Sequence, residues 1–252
     1  MSSADGANSD KHYWHQYVDT YRQAFQTLGP VRIILEYGVF HGDSIRWLRS
    51  QFPDAFIIGA DILEPQPDWP QDERIQYVRF DQNDPDHIGR SLRANNIQFD
   101  LIIEDGSHIP QHQAWCLTQS LPHLRSGGLY ILEDIHTSHP EHSLYRTYCA
   151  DYPRPPATSL QVLLALQHIR ATGMPLSDAM AADLASQDFF TAAEVKALHA
   201  DIAGIELYRR TRLPLRCYKC GGSDYDYAAM RCRCGVPLYE TADSMSFLIR
   251  KT

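Results

Sequence analysis

From residue 31 to residue 133 the chain alternates short apolar runs with amphipathic stretches. The runs are VRIILE (31–36), AFIIGA (55–60), IQYVRF (75–80), FDLIIE (99–104) and GLYILE (128–133). Their shortness and β-branched content predict strands. SIRWLRSQF, DHIGRSLRAN and QHQAWCLTQSLPHL carry helical periodicity between them, and Gly127-Gly128 reads as the turn into the fifth run. Strand alternating with helix implies parallel strands joined by right-handed crossovers. Upstream, HYWHQYVDTYRQAFQTL (12–28) predicts one amphipathic helix ended by Gly29-Pro30, and residues 1–10 read as frayed.

Beyond His136 the pattern changes. Pro153, Pro155 and Pro156 mark a loop, and helical stretches follow near 158–172, 175–186 and 191–203. IELYRRTRL (205–213) and SMSFLIRKT (244–252) have strand character and predict a closing antiparallel hairpin, with a cysteine cluster between them. The fold class is therefore α/β: a Rossmann-like, mostly parallel sheet with a terminal antiparallel hairpin, a helical insert and a small cysteine hairpin. One domain over 1–252 is expected, with inserts at 136–203 and 214–238.

Composition narrows the classes. Hydrophobic residues make up 44% and charged residues 21%, enough apolar material for a packed core and against wholesale disorder. Lys and Arg total 23 against 31 Asp and Glu, a net charge of −8. That balance argues against holding nucleic acid through whole-surface charge. No apolar run approaches the roughly 20 residues of a membrane span. The start, MSSADGANSDKHYW, lacks the apolar stretch of a secretory signal. A soluble cytoplasmic protein without a membrane partner is expected. The amphipathic N-terminal helix offers an interface for a homo-oligomer.

Open parallel sheets bind ligands beyond the carboxyl ends of their strands. After the first run comes Glu36-Tyr37-Gly38-Val39-Phe40-His41-Gly42-Asp43-Ser44, where two glycines permit close backbone approach and Ser44 is placed to cap the next helix. It is not the dinucleotide fingerprint. The second run leads to Asp61, suited to accept from both hydroxyls of a ribose, and the third to Asp81. A tight βα turn and a capping aspartate would explain each feature alone. Together, in register, they point to a nucleoside.

On these residues the chain resembles the class I S-adenosylmethionine-dependent methyltransferases. Glu36-x-Gly38-x3-Gly42-x-Ser44 looks like their first motif and Asp61 like their ribose carboxylate. A more specific likeness lies in Glu104-Asp105-Gly106-Ser107-His108 and Leu132-Glu133-Asp134, which are similar to segments of the magnesium-dependent sugar O-methyltransferases that act on macrolide deoxysugars. The resemblance implies that Glu36, Gly38, Gly42, Ser44, Asp61 and Asp81 bind the donor. It further implies that Asp105, Glu133 and Asp134 hold Mg²⁺, and that His108 is the base.

Physical chemistry fits. Neighbouring strand ends lie about 5 Å apart, so three carboxylates there repel unless a cation or proton is shared. Hard oxygen ligands suit Mg²⁺ or Ca²⁺. A bound divalent ion lowers the pKa of a sugar hydroxyl, and an imidazole can take its proton. Turn residues and solvated strand-end acids are the plain alternative. His108, His112 and His136 could instead form a transition-metal site, or His112, His136 and His139 could line the substrate mouth or stand exposed.

Cys217-x2-Cys220 and Cys232-x-Cys234 have knuckle-like spacing and predict a closed, structural Zn²⁺ site. This hairpin departs from the sugar methyltransferases. Arg209, Arg210, Arg212, Arg216, Lys219, Arg231 and Arg233 surround it. The expected function is a Mg²⁺-dependent sugar O-methyltransferase with a sugar-bearing small-molecule acceptor, residues 136–203 forming the acceptor lid. The alternatives are an RNA or nucleotide methyltransferase that uses the zinc tip, and a non-catalytic binding protein on the same fold.

Overall fold

The computed structural model describes residues 9–95 and 97–252. Its centre is a seven-stranded sheet in the order β3-β2-β1-β4-β5-β9-β6. The strands are β1 (Ile33–Tyr37), β2 (Phe56–Asp61), β3 (Ile75–Arg79), β4 (Phe99–Glu104), β5 (Leu124–Leu132), β6 (Ile202–Arg209) and β9 (Met245–Lys251). The first five are parallel, and β9 runs antiparallel between β5 and β6. This is the sheet, with its closing hairpin, that the apolar runs predict. The chain lays strands outward from β1 to β3, then returns to place β4 on the other side of β1. That reversal opens a crevice beyond the carboxyl ends of β1 and β4, where ligands bind in such sheets.

The runs are continuous because the central strands are covered on both faces. On one face Ile34, Ile57, Leu101 and Ile131 pack with Ile45, Trp47 and Leu48 of α3 (Asp43–Gln51) and with Tyr17, Tyr21 and Phe25. On the other, Leu35, Ile102, Tyr130 and Leu132 pack with α5 (Pro110–Ser120) and α7 (Ser159–Thr172). Also present are α4 (Pro85–Asn95), α6 (Ser143–Tyr148), α8 (Asp178–Leu184) and α9 (Ala192–Asp201). The sequence pattern did not single out α6. Leu163 and Leu166 of α7 and Val195 and Leu198 of α9 belong to the main core, so much of the insert is built into the domain.

The N-terminal segment differs from the single helix expected over 12–28. It forms α1 (Asp10–Tyr13) and α2 (Val18–Phe25), separated by a turn in which Gln16 has φ 59°. The two halves serve different cores: Tyr17, Val18, Tyr21 and Phe25 cover the sheet, whereas Trp14 is buried with Cys217, Tyr225, Cys232, Val236 and Leu238. One straight helix could not reach both. The face offered for an interface is thus used within the chain. Two smaller corrections concern glycines. β5 starts at Leu124 and runs through Gly127-Gly128 with a register shift, where a turn was expected. Gly42, with φ 73°, takes the N-cap position of α3, so Ser44 lies inside the helix and does not cap it.

Between β6 and β9 the chain forms the cysteine hairpin, with the two-residue pair β7 (Tyr225–Asp226) and β8 (Arg231–Cys232). It grips α1. Leu215 N–H donates to Tyr13 C=O at 2.7 Å, Arg216 stacks 4.0 Å above the Tyr13 ring, Arg210 lies over Trp14 at 5.0 Å, and Tyr218 meets Trp14 edge-on. Arg210 is buried against Asp243 and Arg233 lies near Asp224 and Asp226, so part of the basic tip is neutralised internally. Trp14→Ala removes the shared side chain, at a cost of about 3–5 kcal/mol to that cluster. Limited proteolysis should then cut within 9–17 and 214–238 faster while the sheet remains resistant. Unchanged cleavage of both segments would contradict this packing.

Candidate active site

A cavity of about 770 Å³ opens beyond the carboxyl ends of β1, β2 and β4. Gly38 and Phe40 of the first loop, Asp61, Asp81, Asp105, His108 and Asp134 all line it. Gly38 is required sterically: its φ is +85°, and a Cβ there would lie 2.1 Å from the Asp105 carbonyl oxygen. The β1 loop is thereby pressed against the end of β4. Asp61 Oδ2 accepts from Val39 N–H at 2.8 Å and Phe40 N–H at 3.3 Å, and Oδ1 from Leu63 N–H at 2.9 Å. Its carboxylate shapes both loops while still facing the cavity. Glu36 and Ser44 are buried beneath the loop and do not line the space.

Gln82 ties the far wall together. Its amide donates to Glu104 Oε1 at 2.7 Å and accepts from Ser107 N–H at 2.9 Å. His112 is held on both ring nitrogens, by Ser107 Oγ at 2.7 Å and Asn83 Oδ1 at 3.3 Å. It therefore leaves no nitrogen for a metal shared with His108. His108 has φ 58° and Asp134 φ 49°, left-handed backbone that non-glycine residues rarely adopt. His108 Nε2 is 3.8 Å from Asp134 Oδ2, and its Nδ1 has no partner among the described residues. His15 and His136 approach the other Asp134 oxygen at 3.7 and 3.8 Å, and Tyr17 Oη donates to it at 2.8 Å. His139 does not border the cavity, and no residue from 136 to 203 does.

The three acids expected to share an ion are brought to one rim but divided. Asp105, His108 and Asp134 can present ligand atoms within 4.8 Å of one another. Asp105 and Glu133 are bridged by Lys11 of α1, whose ammonium donates to Asp105 Oδ2 and, at 2.7 Å, to Glu133 Oε1. Sequence reasoning missed Lys11, which falls between the frayed stretch (1–10) and the helix expected over 12–28. A signal existed: it is the only lysine before Lys196, and so many strand-end acids call for a cation. Glu104, fully buried, was also left without a role. The donor set still fits a divalent ion. Its oxygens are hard, and ligand atoms of Asp105, His108 and Asp134 can converge on one point.

No family model matches the chain. It is 33% identical over 135 residues to mycinamicin VI 2''-O-methyltransferase of Micromonospora griseorubida, covering 50% of this chain and 33% of that protein. It is equally similar, 33% over 135 residues, to the 8-demethyl-8-(2-methoxy-alpha-L-rhamnosyl)-tetracenomycin-C 3'-O-methyltransferase of Streptomyces olivaceus, covering 50% of this chain and 34% of that protein. Among solved structures, the MycE methyltransferase from the mycinamycin biosynthetic pathway, in complex with Mg, SAH and mycinamycin VI, matches with a TM-score of 0.60. The identity is 22%, over 98% of this chain and 54% of that one.

This is the class I S-adenosylmethionine-dependent methyltransferase fold. The chain spans about a third of the length of the curated relatives it matches. No helix among the described residues is long and apolar enough to cross a membrane.

Burial governs the electrostatics of this methyltransferase fold. It pushes Glu133 well above the usual carboxylate range, with Asp105 adding to the rise and Lys11 opposing it. Burial likewise raises Asp105 against the pull of Lys11. Asp134 goes the other way: although burial opposes ionisation, His15, His136 and His108 hold its pKa far down. Burial would lower His108, but Asp134, Asp105 and Glu104 together raise it. Burial takes His136 down to about 4. It also raises Glu36 and Glu104 to about 7, against the partial compensation of Lys11 and of Gln82, respectively.

A carboxyl raised in the folded state keeps its proton after the unfolded chain has lost it. The stability it lends declines as pH rises from about 4.5 to about 7. For Glu104 the loss is on the order of 3 kcal/mol. Measured in chelator, the stability advantage of Glu104→Gln over the parent should therefore grow from pH 5 to pH 8. Parallel curves across that interval would contradict the assignment.

Proposed function

We propose that the chain is an S-adenosylmethionine-dependent, Mg²⁺-dependent O-methyltransferase that acts on a sugar hydroxyl of a glycosylated natural product. The observation that carries this is the placement of Asp105, His108 and Asp134 across one cavity from the Gly38 loop and Asp61. The relatives named above, O-methyltransferases of mycinamicin VI and of a rhamnosyl-tetracenomycin C, support the acceptor class.

Donor and ion, when bound, supply an electrophilic sulfonium methyl and a Lewis acid that acidifies the hydroxyl. The chain supplies position and a proton acceptor. Gly38 and Gly42 let the loop backbone approach the donor, and Glu36 and Ser44 underlie that loop. Asp61 accepts from the ribose while its hydrogen bonds to Val39, Phe40 and Leu63 keep the loop fixed. Asp81 borders the same side. Asp105 and Asp134, with Glu133, are the carboxylates that would hold Mg²⁺. His108 Nε2 takes the hydroxyl proton, and Asp134 beside it stabilises the imidazolium. The acceptor lid is assigned to 136–203, of which His136 packs behind the cavity wall beside Asp134 and His142 packs on His136.

The cysteine hairpin is read as a structural Zn²⁺ site. Tetrahedral zinc with bonds of about 2.3 Å spaces its sulfurs about 3.8 Å apart. Here Cys217 and Cys234 Sγ lie 3.6 Å apart, and Cys220 and Cys232 Sγ 3.5 Å apart. All four fall within 4.8 Å of one another. The role is structural, since the hairpin's inner face is filled by Trp14, Tyr225 and Leu238.

Calorimetry with S-adenosylhomocysteine separates donor binding from chemistry. The parent should bind it with micromolar affinity and Asp61→Ala at least about tenfold more weakly. His108→Ala should bind it as the parent does while turnover of a glycosylated acceptor falls by about 100-fold or more. No binding by the parent would contradict the donor site, and full turnover by His108→Ala would contradict the base.

A further inference from the structure

Helix α1 places a cation where the carboxylates would hold an ion. Lys11 is only 5% exposed at its side chain, and its ammonium contacts Asp105 Oδ2 and Glu133 Oε1 and lies 3.9 Å from Glu36 Oε1. With the ammonium there, the group able to converge on one ion is Asp105, His108 and Asp134, without Glu133. An ammonium and a divalent ion on the same oxygens repel each other, so the two compete for Asp105 Oδ2 and Glu133 Oε1.

The Lys11 backbone is not free to drift. Leu215 N–H and Arg216 hold Tyr13, and Trp14 is sunk into the cysteine hairpin. At the other end of the turn, Tyr17 N–H donates to Lys11 C=O at 2.7 Å while Tyr17 Oη reaches Asp134.

We propose that Lys11 is a built-in counter-cation that a divalent ion must displace before Asp105, Glu133 and Asp134 can all ligate it. Ion binding and the seating of α1 are therefore opposed. The inference rests on the metal reading above. Lys11 is a positioning residue: it holds Asp105 and Glu133 in place without an ion and sets how tightly the ion is held. Asp10 and His15 of the same segment line the cavity, so withdrawal of Lys11 also reshapes that wall.

The test is titration with Mn²⁺ alone, followed by electron paramagnetic resonance, on the parent, Lys11→Met, Glu133→Gln and the double variant. Lys11→Met should bind Mn²⁺ at least about tenfold more tightly, and the gain should vanish in the Glu133→Gln background. In the unmodified protein, amide exchange across residues 10–17 should accelerate when Mn²⁺ is added. That second measurement stands if Lys11→Met fails to fold. Parent-like or weaker affinity in Lys11→Met, or unchanged exchange in the parent, overturns the proposal alone. Failure of both the parent and Lys11→Met to bind Mn²⁺ overturns it together with the metal reading.

Discussion

The constraint on which this site depends is the crowding of acids at a buried sheet rim. Glu36, Glu104, Asp105, Glu133 and Asp134 stand at or just beyond the ends of β1, β4 and β5. Four of the five are at least five-sixths shielded from water, Asp105 being the more open one. Parallel pairing forces the arrangement: Tyr37 is in register with Glu104 and Glu104 with Leu132, so each chain exit lies beside the next. Buried carboxylates in such proximity must be protonated, paired with cations, or both. Glu36 and Glu104 lean to the first course, Asp134 to the second with His108 beside it, and Asp105 and Glu133 share one lysine.

That electrostatic demand links distant parts of the chain. Lys11 reaches the rim from α1, α1 is gripped by the cysteine hairpin, and the hairpin hangs between β6 and β9. The hairpin therefore has a structural consequence for the site without touching the cavity. The same rim carries two left-handed non-glycine residues, His108 and Asp134, whose backbone cost is borne by the packing around them. Strain of that kind gathers where a side chain must be aimed.

Most of the sheet is legible in the sequence, because strands buried on both faces read as unbroken apolar runs. The closing hairpin is legible for the same reason. The break at Gln16 is not: no glycine marks it, and the apolar period continues across two segments that bury against different clusters. Lys11 is invisible to local reading because its partners lie 94 and 122 residues away. The Ser44 cap fails because Gly42 already provides the left-handed turn into α3. Asp61 is legible as a strand-end acid, but its use of both oxygens to fix backbone N–H groups is a fact of the folded loops. The cysteine spacing is legible because four sulfurs on two short turns have few other uses.

These carboxylates are proposed to form a divalent-ion site on a methyltransferase fold. A crystal grown with Mn²⁺ and S-adenosylhomocysteine, measured at the manganese and zinc absorption edges, tests it most directly. The expected result is a manganese peak among Asp105, Glu133 and Asp134 with Lys11 displaced, and a zinc peak among the four cysteines. A map with no manganese at that rim, and Lys11 still bridging Asp105 and Glu133, would contradict it.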